Sequence, residues 1–128
     1  MKLRISGNSV RLRLTQGEVA ELAETGKVEN RVEFGGESNS HLSYAVTTEG
    51  GAEKVSAKFE DGRISVIIPP MVAREWSQTE QVGIRGEQSL PSGKTLRILI
   101  EKDFACLTPR PEEDESDNFP HPKSEKIC

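Results

Sequence analysis

Only two cysteines occur in these 128 residues, Cys106 and the terminal Cys128. Two cysteines build no disulfide framework, so the chain does not read as a small secreted scaffold, and a reducing cytoplasm is the expected location. Aromatic side chains are as scarce: Trp76, Tyr44 and four Phe. That excludes a platform on which successive bases stack, and a net charge of −4 with no basic extension further disfavours nucleic acid. Long apolar runs are missing as well. Val66-Ile67-Ile68 and Ile98-Leu99-Ile100 are typical of the longest, so no membrane association is expected, and Met1-Lys2-Leu3-Arg4-Ile5-Ser6 is too short and charged for a secretory signal. No phosphate-cradling glycine loop stands between a strand and a helix; Glu49-Gly50-Gly51 reads as a hairpin-type turn, and nothing resembles a Ser–His–Asp signature.

What is present fits one domain with a modest core. Residues 103–128 hold seven acids against Arg110, Lys123 and Lys126, whereas residues 1–102 hold fourteen of each sign. The body is neutral and the tail carries the excess negative charge.

Placing residue i beside residue i+54 repeats the apolar pattern without a gap from Lys2 to Thr48. Val10, Leu12 and Leu14 fall on Ile64, Val66 and Ile68; Leu42, Tyr44 and Val46 fall on Leu96, Ile98 and Ile100. Seven pairs are identical, among them Arg31/Arg85 and Glu33/Glu87. An internal duplication is the reading, with copies near 2–48 and 56–102 and an acidic, proline-rich tail over 103–128.

Each copy reads alike. Leu3 and Ile5, then Val10, Leu12 and Leu14, alternate with polar residues at the period of half-buried strands, joined by Gly7-Asn8. Asp61-Gly62 makes the same turn in the second copy. Thr15 with Glu18 forms a capping box for a helix that Gly26 ends, and Pro69-Pro70 opens the helix carrying Val72, Ala73 and Trp76. Strands near 28–34 and 42–48, and near 81–87 and 95–102, complete the copies. The expected fold is α+β: a mainly antiparallel sheet or barrel of about eight strands, with two helices on the apolar face, built from a duplicated strand–helix–strand unit.

Alternation collects Lys2, Arg4, Arg11, Arg13, Arg31, Lys58, Arg63, Arg85 and Arg97 on the polar side of the strands, with Glu29, Glu33, Glu60, Glu87 and Glu101. Arginine dominates, and its guanidinium fork matches carboxylate and phosphate oxygens. Arg4, Arg13, Arg31, Lys58, Arg63, Arg85 and Arg97 are therefore candidate ligands for a phosphorylated or other anionic small molecule. The bland alternative is a solvated sheet face laced with cross-strand ion pairs.

Two strands, a helix and two strands, repeated, with Arg and Glu alternating on one face, resemble the CYTH-type triphosphate tunnel proteins. The resemblance implies an eight-stranded barrel that binds triphosphate with basic residues, here Arg31, Arg85 and Lys58, and a divalent metal with glutamates, here Glu33 and Glu87. That family opens on an E-x-E-x-K strand. This chain opens on Lys2-Leu3-Arg4-Ile5-Ser6, and Glu29-Asn30-Arg31-Val32-Glu33 has Arg in place of the second acid.

The stretch Lys102-Asp103-Phe104-Ala105-Cys106-Leu107-Thr108-Pro109-Arg110-Pro111, with the acidic run to Phe119-Pro120-His121-Pro122, resembles the C-terminal signature of a small bacterial domain-of-unknown-function family. It implies bacterial origin and no activity. Three readings of the tail stay open. It is a solvated acidic segment that keeps the chain soluble or engages a protein partner; or its acids fold onto the basic face; or Cys106 and His121, with Asp103, Asp114 or Asp117, hold a metal. His41 reads as an ordinary solvated loop histidine.

Overall fold

The computed structural model describes residues 1–37 and 39–104. Strand β1 (Lys2–Ser6) turns through Gly7-Asn8 into β2 (Ser9–Leu14), followed by helix α1 (Gln16–Thr25) and strands β3 (Lys27–Glu33) and β4 (His41–Thr48). Strand β5 (Ser56–Glu60) turns through Asp61-Gly62 into β6 (Arg63–Ile68), followed by α2 (Pro70–Gln78), β7 (Gly83–Ser89) and β8 (Thr95–Lys102).

Local chemistry sets these boundaries. Asp61 and Gly62 have φ of 50° and 71°, the paired positive values of the tight turn whose twist suits a hairpin. At α1 the Thr15 hydroxyl accepts from the Glu18 N–H while the Glu18 carboxylate accepts from the Thr15 N–H, so two orphan donors are satisfied reciprocally. Gly26, left-handed at φ 81°, donates its N–H to the Leu22 carbonyl and stops the helix. Pro70 occupies the first turn of α2, where no donor is lost.

The strands form two four-stranded sheets, in the orders β1-β2-β8-β7 and β3-β4-β6-β5. All four hairpins are antiparallel, but the central pairs β2–β8 and β4–β6 are parallel. Each sheet thus joins one hairpin from residues 2–48 to one from residues 56–102. Element bounds of β1 and β5, β2 and β6, and β4 and β8 lie 54 residues apart, and exchanging them turns one sheet order into the other. The fold is α+β with two mainly antiparallel sheets that are not closed into a barrel, so the described residues form no tunnel of the triphosphate type. The connection from 49 to 55 is likewise no hairpin, because β6 lies between β4 and β5.

One core draws on both sheets and both helices. Leu12, Leu14, Val46, Val66, Ile68 and Ile100 are fully buried, and Val19, Leu22, Ala73 and Trp76 cover them from the helices. The Trp76 Nε1–H donates to the Val82 carbonyl at 3.0 Å, so the indole is buried without an orphan donor. Both helices follow the ends of central strands, β2 and β6, and they touch each other, so they close one end of the space between the sheets. Where edge strands β5 and β7 meet, the Ala57 N–H donates to Gln88 Oε1 at 2.8 Å and Gly86 lies against Val55. Among the described residues no helix is long and apolar enough to cross a membrane.

Candidate functional site

With both apolar faces turned to a common core, each sheet presents its other face outward, and the polar residues of the strands divide between two surfaces. On β1-β2-β8-β7 they form three rows. Lys2 stands opposite Arg13, which neighbours Glu101; Arg4 stands opposite Arg11, which neighbours Leu99 and then Arg85; Ser6 and Ser9 lead to Arg97 and Glu87. Six cations meet two carboxylates there, three when Asp103 is counted beyond the end of β8.

Glu101 is 6% exposed, and Arg13 Nε donates to its Oε1 at 3.3 Å while Arg11 Nε lies 3.6 Å from the same oxygen. One carboxylate between two guanidinium groups from neighbouring rows leaves this cluster a net cation. Asp103 Oδ2 holds Lys2 Nζ at 3.0 Å on the edge of this face. Farther along the strands, Ser9, Arg11, Arg85, Glu87, Arg97 and Leu99 line a depression of about 180 Å³. Arg85 and Arg97 are exposed there, and the Arg97 guanidinium has no hydrogen-bond or ion-pair partner among the described residues.

The outward face of β3-β4-β6-β5 is different. It carries an open groove of about 750 Å³ with Ser43, Ser65 and Thr47 on its central strands. Lys27, Arg31, Lys58 and Arg63 line it with Glu29, Glu49, Glu60 and Asp61, four of each sign. Several charges are already matched: Glu29 lies 3.0 Å from Arg63 Nη1 and 3.6 Å from Lys27 Nζ, and Arg31 Nε lies 3.7 Å from Glu33. His41 lines this groove too. It is the first residue of β4, half-buried, with Nδ1 buried and without a partner among the described residues, which corrects its reading as a solvated loop residue.

The sequence-derived candidates are therefore separated. Arg4, Arg13, Arg85 and Arg97 share one sheet face; Arg31, Lys58 and Arg63 share the other. Arg31 and Arg85, expected to bind one ligand together, stand on different sheets, as do Glu33 and Glu87, the expected metal pair. Two sheets rather than one closed barrel account for both separations. Among the described residues no three His, Cys, Asp or Glu side chains gather as metal ligands. Cys106, His121 and the acidic run of the tail lie outside the described residues. Lys2 and Arg11 belong on the arginine-rich face although neither was singled out; their place in the alternation carried that signal.

A family model described as a family of unknown function (DUF7009) matches residues 1–123. No curated protein and no solved structure matches the chain.

Proposed function

Taking as premise that the chain belongs to DUF7009, a family of unknown function, we propose that it is a binding domain for an anionic ligand, which it takes on the outward face of the β1-β2-β8-β7 sheet. The carrying observation is the cation excess of that face beside the balance of its counterpart. Six cations against three carboxylates leave a surplus of three even with Asp103 included, whereas the other groove is lined by equal numbers. The sheet fixes the spacing of the backbone positions that carry these arginines, and a planar guanidinium fork loses less freedom per hydrogen bond formed than a lysine does. Ser9 lies beside Arg11, Arg85 and Arg97 with its hydroxyl donated to the Ser6 carbonyl at 2.6 Å, so the arginines are the donors that suit a phosphate or carboxylate group.

The Asp103–Lys2 pair favours a second occupant of the same surface, the chain's own acidic segment over 112–117. The tail departs from β8, a central strand of this sheet, and its first acid already contacts the arginine-rich face. Inorganic tripolyphosphate and the tail would then compete.

Calorimetric titration with tripolyphosphate at low ionic strength tests the reading. Full-length protein should bind, more weakly as salt rises, because exposed charges are screened over about 8–10 Å at physiological ionic strength. Arg85→Gln with Arg97→Gln should abolish binding, and Arg31→Gln with Arg63→Gln should leave it intact. Tighter binding after removal of residues 108–128 would support tail competition. Equal binding by both double variants would defeat the proposal.

A further inference from the structure

The helices close only one end of the space between the sheets. At the other end, near the starts of β2, β4, β6 and β8, an apolar cleft of about 650 Å³ opens to solvent. Val10, Leu42, Ile64 and Leu96 line its interior, and Ile5 and Phe59 stand at its mouth. These six are three pairs related by the 54-residue offset, so the cleft lies where the two halves of the fold meet symmetrically. Ile5 and Phe59 are 60% and 67% exposed, a costly arrangement for large apolar side chains on opposite lips of one opening. Its size falls in the range of about 300–1,000 Å³ typical of small-molecule sites.

Two polar side chains reach the cleft. Gln88 is committed through Oε1 to the Ala57 N–H and seals the β5–β7 side. Lys58, on edge strand β5, borders both this rim and the outward groove of its own sheet, and its ammonium has no hydrogen-bond or ion-pair partner among the described residues. An apolar interior with a single cation at the lip matches one ligand chemistry, an acyl chain ending in an anionic head.

We propose that this cleft binds a medium-chain amphiphilic carboxylate, the chain lying between Val10, Leu42, Ile64 and Leu96 and the head group at Lys58. The site is independent of the arginine face on the opposite side of β1-β2-β8-β7.

Titration of the full chain with dodecanoate, below its micellar concentration and followed by calorimetry, tests the assignment. Dodecanoate should bind at one site, and decanoate roughly tenfold more weakly, the change expected for two fewer buried methylenes. Dodecyltrimethylammonium should bind at least fivefold more weakly than dodecanoate, and Lys58→Glu should reverse that preference. Phe59→Asp, at a position 67% exposed, should weaken dodecanoate by at least tenfold. Tripolyphosphate should leave dodecanoate affinity unchanged, which separates this site from the arginine face. Absence of binding, equal affinity for the two head groups, or a dimer that Phe59→Asp dissociates would overturn the proposal; the last would mean that a second copy fills the cleft.

Discussion

Glu101 shows most directly how a single side chain sets the character of a surface. It is the buried acid of the arginine-rich face, and Arg11 and Arg13 converge on one of its oxygens. Glu101→Gln keeps the shape but removes the charge, so the guanidinium groups lose a charge-assisted acceptor at a cost of about 1–3 kcal/mol. The same change releases positive potential. Chemical denaturation should therefore show lower stability, and titration should show tighter tripolyphosphate binding. Weaker binding would mean that Glu101 organises the arginines rather than masking them. Glu18 makes a second residue-scale case. Burial pushes its carboxyl up, but hydrogen bonds from the N-terminal ammonium and from Thr15, with the ammonium's charge, outweigh that and hold it below its ordinary value of 4.5. A lowered folded-state value makes the ionised form the stabilising one. Its contribution is complete above 4.5 and disappears as pH falls through the lower folded-state value. Between about pH 5 and pH 3 the parent chain should lose more stability than Glu18→Gln, as read from urea midpoints.

At the scale of elements, the two sheets are held together at one edge by a close backbone approach. A Cβ on Gly86 would meet the Cβ and Cγ1 of Val55 at 2.8 Å, closer than any real contact allows. Gly86→Ala should therefore push the segment before β5 away from β7 and cost about 1–3 kcal/mol. Val55→Ala in the same chain should recover part of that loss. A double-mutant cycle with no coupling would show that the edge adapts freely.

The elements themselves were legible in the sequence. Thr15, Glu18, Gly26, Asp61-Gly62 and Pro70 each state a local conformation, and the alternation of Leu12, Leu14, Ile64 and Val66 fixes which side of each strand meets the core. Neighbourhood was not legible. Period-2 alternation specifies a face but not a partner. The parallel pair β2–β8 joins strands from opposite ends of the chain, across both helices and the whole of the other sheet, and β4–β6 pairs over β5, which stands between them in sequence. Nothing at Arg31 or Arg85 reveals that these equivalent positions lie on different sheets. The same blindness hid His41 in the groove, and the cleft, whose apolar side chains read simply as core.

For the whole molecule, the exchange of hairpins between two similar halves has an electrostatic consequence. Each sheet receives the first hairpin of one half and the second hairpin of the other. The two outward faces are built from equivalent positions yet differ in charge: Arg11 and Arg13 correspond to Ser65 and Ile67, and Lys2 and Arg4 to Ser56 and Lys58. One half thus contributes four bases where its counterpart contributes one, Lys58, and the net field of the body is concentrated on one side. The tail, with seven acids from Asp103 onward, begins on that side.

The decisive measurement is a residue-resolved titration of isotope-labelled full-length protein with tripolyphosphate, followed through backbone amide shifts. Saturating perturbations confined to residues 9–13, 83–87 and 97–101, and lost in the Arg85→Gln, Arg97→Gln variant, are the predicted result. Perturbations centred on 27–31, 41–43 and 58–65, or none that saturate, would contradict an anion site on the arginine face.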